Sequence, residues 1–264
     1  KIFVNSMSDL FHEAVPDEWI DRIFLMMMIC QRHTFQVLTK RAQRMRDYCA
    51  SEVTKERIFV LASALASIPG VQFTAQGFPD GLPGIRVPDV WLGVSVEDQK
   101  TADERIPLLL QTPAAVRWVS YEPALGPVDF TSWLKTPHAH GESCGPLCTK
   151  LNWVVCGGES GPGARPMHPD WARSARDHCL AAGVPFFFKQ WGKFSEGSGG
   201  QLYGVIAVDR GGRIAVDGGD SKTYPAESSS ADGWSLMRRV GKKAAGRLLD
   251  GREWNEFPNA GERR

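Results

Sequence analysis

The chain has 264 residues, of which 42% are hydrophobic, and its 31 Lys and Arg residues nearly balance its 30 Asp and Glu residues. This length and hydrophobic content allow a sizeable core and suit one α/β domain. The formal net charge of +1 excludes a strong overall attraction to nucleic acid or to a membrane, and leaves only a local basic patch. No apolar run reaches spanning length, no signal peptide is evident and the cysteines are scattered, which indicates a cytoplasmic protein with reduced thiols.

Six short apolar segments recur along the chain, and each ends in polar or charged residues. Their length and their β-branched and aromatic content are typical of buried strands. Because parallel strands present their C-terminal ends at one rim, the residues there are expected to face one cavity. The strands and their candidate site residues are 2–4 with Asn5, Ser6 and Asp9; 35–39 with Lys40; 90–96 with Ser95 and Glu97; 116–121 with Glu122; 153–156 with Gly157, Gly158 and Glu159; and 185–188 with Lys189.

Helical patterns alternate with these strands over residues 1–194. A methionine-rich stripe that ends at Met28 is typical of a core-facing helix, and the glycine- and proline-rich segment 73–86 predicts a loop. Alternation with long crossovers predicts a partial (β/α) TIM-like barrel with about six visible parallel strands. The predicted helices begin near 17 and then cover 41–48, 54–67, 101–110 and 170–182.

Residues 195–264 form a predicted C-terminal extension. The segments 205–208 and 213–216 flank a glycine-rich turn and predict a β-hairpin. Residues 240–249 predict a short basic helix, whose charged face is either solvated or contacts the phosphate backbone of a nucleic acid. The cations of this face are Lys242, Lys243, Arg247 and Arg252.

Residues 138–150 have the appearance of an insertion between two strands. Here His138, His140, Cys144 and Cys148 supply the residue types and the number of ligands of a tetrahedral zinc site. Their compressed spacing does not match the usual finger order. The alternative is an insertion with free thiols and no Zn²⁺.

Several motifs, in order along nearly the whole chain, resemble one family. They are FVNSMSDLFHEAVPDEWI, FQVLTKRAQRM, VWLGVSVEDQ, VRWVSYEPALGPVD, WVVCGGESGPGARPMHPDW, VPFFFKQWG and VGKKAAGRLLDGREWNEFP. The sequence is similar to the phage Gp37/Gp68 family, also called the DUF5131 or three-Cys-motif family. The resemblance implies a radical S-adenosylmethionine (SAM) barrel, with S-adenosylmethionine and a [4Fe–4S] cluster as cofactors and a cysteine motif after the first strand.

In the family that this sequence resembles, the cysteine motif lies upstream of the segment that matches Lys1. The chain begins there without methionine and inside a strand pattern, which indicates the C-terminal part of a longer protein. Its one close cysteine pair is Cys144 and Cys148, and Leu151 stands where a radical SAM triplet needs a third cysteine. We therefore expect that this chain by itself does not cleave SAM.

The resemblance also implies roles for residues at the rim. Glu97 or Glu122 would bind the ribose hydroxyls of SAM. Gly157-Gly158-Glu159 resembles the Gly-Gly-Glu signature that contacts the methionine ammonium, although that signature normally follows an early strand. The alternative for Glu159 is a solvated carboxylate in a tight strand-to-helix turn.

The basic residues near the rim have two interpretations each. Lys40 and Lys189 either bind a carboxylate or phosphate of a ligand, or form salt bridges with neighbouring rim carboxylates. Arg165 and His168 either bind an anion at the start of a helix, or are a loop-packing arginine and an exposed histidine before an N-cap at Asp170.

These features lead to the hypothesis of an enzyme-like radical SAM barrel of unknown substrate, with nucleic-acid or nucleotide modification implied by the phage association. The rival is a non-enzymatic module whose rim binds a nucleotide or a partner protein, and a degenerate fragment without activity is the third alternative. A small-molecule or nucleotide ligand is expected at the rim, and no membrane partner is expected. No catalytic residue is assigned.

Overall fold

Six strands form one parallel sheet in the computed structural model, which describes residues 1–68, 89–135, 150–196, 205–216 and 233–258. Each strand pairs in parallel with the next one along the chain. The sheet curls into a half-barrel, which confirms the predicted partial (β/α) barrel. The strands are β1 (Ile2–Val4), β2 (Phe35–Thr39), β3 (Val90–Val96), β4 (Val116–Tyr121), β5 (Trp153–Gly157) and β6 (Phe186–Gln190).

Helices connect these strands, and their ends follow from local capping. Ser51 accepts a hydrogen bond from the backbone N–H of Thr54, and Asp98 forms a capping box with Thr101. The methionine-rich stripe is buried, as predicted. The predicted loop 73–86 lies outside the described residues. The helices are α1 (Asp17–Ile29), α2 (Ala42–Ala50), α3 (Glu52–Ala66), α4 (Gln99–Gln111), α5 (Thr131–Leu134) and α6 (Pro169–Ala181).

The two faces of the sheet have separate apolar clusters because side chains alternate along each strand. The face toward the helices carries the main core, which includes Val94, Val119 and Val154. The inner face carries a second cluster, which includes Trp91 of β3 and Trp153 of β5, the two strands that flank β4. The remaining members of this second cluster are Val116, Trp118 and Val155, with Leu38 and Phe187 packed against it.

A second sheet follows the half-barrel. Among the described residues its strands are β7 (Phe194–Glu196), β8 (Val205–Asp209), β9 (Ile214–Val216) and β10 (Trp234–Arg239). They are antiparallel in the order β7-β10-β8-β9, and the predicted hairpin forms β8 and β9. The predicted basic helix over 240–249 is shortened to one turn, since Gly241 and Gly246 at its two ends hold positive φ angles of 87° and 69°. This one-turn helix is α7 (Lys242–Ala245).

The segment after α7 returns to the half-barrel and lies along β6. The Phe188 N–H donates to Trp254 O at 2.9 Å, and the Glu256 N–H donates to Phe186 O at 3.2 Å. Arg252 stacks on the ring of Trp254, with 3.5 Å from its Cζ to the ring centroid, and so does not share a helix face with the lysines of α7. The contact with nucleic acid expected there stays a prediction. Within the described residues, no helix is long and apolar enough to cross a membrane.

Candidate functional site

Three glutamates follow the C-terminal ends of the neighbouring strands β3, β4 and β5. Ser95 links two of them, because its hydroxyl lies 3.5 Å from Glu97 Oε1 and 3.4 Å from the backbone oxygen of Glu122. Glu159 is held by Arg165, whose guanidinium is also influenced electrostatically by Glu97. The parallel sheet therefore brings these carboxylates to one edge, as its topology requires.

Two of the glutamates form salt bridges with cations from other elements. Lys40 Nζ lies 2.6 Å from Glu97 Oε1, and Arg105 Nη1 lies 2.9 Å from Glu97 Oε2. Lys189 Nζ lies 2.8 Å from Glu122 Oε2. Of the two interpretations of Lys40 and Lys189, the structure therefore shows the salt bridges with neighbouring rim carboxylates. Arg105, on α4, is a partner that sequence patterns did not identify.

The third glutamate, Glu159, forms a two-pronged pair with Arg165. Arg165 Nε and Nη2 donate to its two carboxylate oxygens at 2.9 and 3.2 Å, and the Arg165 backbone N–H donates at 2.9 Å. The hydrogen bonds from the Arg165 side chain and backbone lower the pKa of Glu159 although partial burial opposes them. Glu159 is thus a fixed anion in the turn before α6 and not a freely solvated one.

Acidic and basic side chains at the rim differ in exposure. The carboxylates are recessed, with side-chain exposures of 12% for Glu97, 16% for Glu122 and 25% for Glu159. Their partners Lys40, Lys189 and Arg165 are 52%, 53% and 52% exposed. A ligand that approaches the rim therefore meets positive charge first and recessed carboxylates behind it. We call these six residues the rim site.

Asp9 supports the rim from the end of β1. It accepts hydrogen bonds from the Thr39 hydroxyl at 2.7 Å, the Lys40 N–H at 3.0 Å, Arg41 Nη1 at 3.1 Å and the Phe11 N–H at 2.9 Å. Burial alone would raise the pKa of Asp9, but these hydrogen bonds together lower it. Asp9 therefore fixes the position of the Lys40 backbone.

The structure does not bring every candidate into the network of ion pairs. Asn5 holds a turn in which its backbone oxygen accepts from the Ser8 N–H at 3.1 Å, with a φ of 56°. Ser6 is exposed in the same turn. Gly157 lies against Glu122, since a Cβ there would be 3.1 Å from Glu122 Oε1. The ligand-binding roles of these residues stay predictions.

A cleft of about 770 Å³ opens beside the rim, between α2, α3 and α4. It shares only Lys40 and Arg105 with the ion pairs of the rim, so it is an adjoining space and is not centred on the three glutamates. The side chains that line it carry charges of both signs. They are Glu13, Asp17, Lys40, Arg41, Ala42, Gln43, Arg44, Asp47, Tyr48, Ser51, Val53, Thr54, Arg57, Glu104, Arg105 and Leu108.

His168 is buried, which corrects the expectation of an exposed histidine. It is itself the N-cap of α6, because its Nδ1 accepts from the Asp170 N–H at 3.1 Å. Nε2 lies 3.2 Å from Gly233 O, so the neutral ring carries its proton on Nε2 and donates it there. Burial, the largest influence, lowers the pKa of His168 although the charge of Asp170 opposes it. His168 ties the turn before α6 to the second sheet.

This burial predicts a loss of stability on acidification. The unfolded chain has an ordinary histidine pKa near 6.5, and the folded pKa is lower, so between the two values the unfolded state binds more protons. The free energy of unfolding should therefore fall as the pH drops through about 6.5. Denaturant unfolding at several pH values should show a smaller acid loss in His168→Asn, which keeps an N-cap acceptor. An equal loss in both proteins would contradict the assignment.

The cysteines in the described part of the chain are free and do not form a cluster site. Cys49, Cys156 and Cys179 are buried, and burial raises the pKa of Cys179 to about 12. No group of three His, Cys, Asp or Glu residues with metal-binding geometry occurs among the described residues. The four predicted zinc ligands, His138, His140, Cys144 and Cys148, lie outside the described residues, so that site stays a prediction.

Comparison with known proteins identifies the family of this chain. A family model described as a protein of unknown function, DUF5131, matches residues 1–258. The chain belongs to this family. The DUF5131 resemblance is thereby confirmed, and the phage Gp37/Gp68 label is consistent with it. No curated protein and no solved structure matches the chain. The DUF5131 description gives no activity.

Proposed function

We propose that the rim site binds a nucleotide-class ligand that carries a negatively charged group. The observation that supports this is the difference in exposure, which puts half-exposed cations in front of recessed carboxylates. Lys40, Lys189 and Arg165 would bind a phosphate or carboxylate of the ligand. The glutamates behind them would accept hydrogen bonds from ribose hydroxyls or an ammonium group. S-adenosylmethionine, which the family resemblance implies, is one ligand of this class.

The described residues of this chain do not fit a [4Fe–4S] cluster. Such a cluster needs three thiolates in one place, and Cys49, Cys156 and Cys179 are buried thiols whose pKa values are raised by burial, which leaves Cys30 as the one further free cysteine among the described residues. Cys144 and Cys148 form a pair without a third cysteine at the required spacing. These residues therefore support ligand binding and no radical step. Modification of a nucleotide or nucleic acid would require a cluster that these residues do not hold.

Calorimetric titration of the whole chain tests the proposed ligand class. Adenosine monophosphate (AMP) and S-adenosylmethionine should bind more tightly than adenosine, because adenosine lacks the charged group that the rim cations contact. Binding should weaken as salt is added, since the cations are half-exposed. Equal affinity for all three compounds, or no binding of any, would contradict the proposal.

Glu159→Gln is expected to weaken the binding of S-adenosylmethionine by about tenfold, a typical effect of losing a hydrogen bond to a charged group. The loss in stability should be smaller, about 1 kcal/mol or less, because the pair with Arg165 is partly exposed. Calorimetry and denaturant unfolding measure the two effects. Glu253→Gln, which changes a half-exposed acid paired with Arg247, is the control and should leave affinity unchanged. A loss of folding as large as the loss of binding would make Glu159 a structural residue.

A further inference from the structure

One buried amide nitrogen in the half-barrel has no hydrogen-bond partner among the described residues. Gln36, the second residue of β2, is 9% exposed, and its buried Nε2 makes no hydrogen bond to any described residue. The strand register puts Gln36 opposite Phe3 of β1 and Trp91 of β3, and Trp91 belongs to the inner cluster. The amide therefore points to the inner face of the half-barrel. A buried donor without a partner costs stability, and a ligand that supplied an acceptor would remove that cost.

The cross-strand neighbours of this amide are aromatic. Phe3 meets Trp118 edge to face, with 6.2 Å between ring centroids, across the curled sheet. Trp118 lies directly over Gly93, where a Cβ would be 2.6 Å from Trp118 Cδ2. The one polar atom of Trp118 is a donor already directed at Trp91 O, 3.4 Å away. Trp91 and Trp118 are only 2% and 3% exposed, so a ligand reaches their flat apolar faces only when Phe3 moves, and the rings supply no acceptor to Gln36.

We propose that Gln36 recognises the base of the ligand that the rim site binds. A purine or pyrimidine would displace the ring of Phe3, lie against Trp118 and accept a hydrogen bond from Gln36 Nε2 through a ring nitrogen or a carbonyl oxygen. Phe3 is 43% exposed and lies on a three-residue strand whose described pairing is with β2 only, so its displacement loses little buried surface. This inference rests on the proposed function of the rim site.

The distance from this amide to the rim suits such a ligand. Gln36 and Lys40 are four residues apart along β2 and its end, which corresponds to about 13 Å at the rise of a strand. A nucleoside that carries one phosphate or an amino-acid chain spans such a length. The base would thus lie at Gln36 while the anionic group reaches Lys40 and the other rim cations.

Titration with AMP and with ribose 5-phosphate separates the two proposals. Both compounds carry the anionic group, but only AMP carries a base. If both proposals hold, AMP binds at least tenfold more tightly than ribose 5-phosphate and alone changes the tryptophan fluorescence. Equal affinities without a fluorescence change would overturn the base site while the rim site stands. Failure of both compounds to bind would overturn both proposals.

Gln36→Leu gives a second and independent test, because it replaces the unsatisfied donor by an apolar side chain of similar size. It should raise the melting temperature of the free protein, lower the affinity for AMP at least tenfold and leave the affinity for ribose 5-phosphate unchanged. The matched control for stability is Gln190→Leu, a buried glutamine whose Nε2 donates to Glu122 Oε1 at 3.0 Å and whose loss should lower the melting temperature. A lower melting temperature in Gln36→Leu, or unchanged AMP affinity, would overturn the role of Gln36.

Discussion

Gly158→Ala is expected to destabilise the protein by about 3 kcal/mol or more, the upper range for overpacking a core. A Cβ at this position would lie 2.7 Å from the carbonyl carbon of Trp191 and closer still to its oxygen. Both are backbone atoms, so no side-chain rotation relieves the clash. The Gly158 N–H also donates to Gln190 O at 2.9 Å, which fixes the two segments against each other. Denaturant unfolding measures the change.

Gly161→Ala is the matched control, three residues further along the same turn. A Cβ there meets nothing within 4 Å, and the residue is exposed, so a change within about 0.5 kcal/mol is expected. Similar losses in the two variants would show that the close approach of Gly158 to Trp191 does not explain the need for glycine. A difference of several kcal/mol would show that the strand end carrying Glu159 is positioned by backbone packing.

The contacts of Gly157 and Gly158 show why glycine is needed in the Gly-Gly-Glu segment. In the structure Gly158 faces the backbone of Trp191, and Gly157 faces the side chain of Glu122. Protein groups therefore account for both glycines without a ligand. The contribution of this segment to binding, if the proposed function holds, comes from Glu159, whose carboxylate is held in place by Arg165.

Much of the fold follows from the sequence because its signals are local. Each parallel strand is an apolar run bounded by polar residues, and a run such as Val90–Val96 is buried along its whole length. Once the strands are known to be parallel, topology alone puts Glu97, Glu122 and Glu159 at one edge. The observed salt bridges Lys40–Glu97 and Glu122–Lys189 are one of the two interpretations that the sequence allows for these lysines.

The remaining features depend on contacts between distant parts of the chain. His168 lies next to polar residues in sequence, and its burial results from β10 and the turn at Gly233 that covers it. Arg105 reaches Glu97 from the second turn of α4, a contact that no strand-end pattern contains. Trp254 and Glu256 lie after the last predicted element of the chain, yet they pair with β6. Likewise, the burial of the unpartnered Gln36 Nε2 depends on the register of β1, β2 and β3, which the sequence alone does not give.

Replacing both Lys40 and Lys189 by methionine is expected to weaken AMP binding by at least about 100-fold. Each lysine would lose a charged hydrogen bond to the ligand, and such bonds contribute about 1.5–3 kcal/mol each, or roughly tenfold or more in affinity. Stability should change by only about 1 kcal/mol, because both ammonium groups are half-exposed. In addition, Arg105 still pairs with Glu97 and Gln190 still donates to Glu122. Calorimetry and denaturant unfolding measure the two quantities.

Replacing Lys242 and Lys243 by methionine is the control, since it removes two exposed charges of α7 and the same net charge from the chain. If the overall charge attracted the ligand, both double variants would lose affinity equally. If the ligand contacts the rim, only the Lys40 and Lys189 variant loses it, together with most of the salt dependence of binding. Because the folded protein would keep its three recessed glutamates, unchanged affinity in that variant would mean that the half-exposed cations of the rim only neutralise those glutamates.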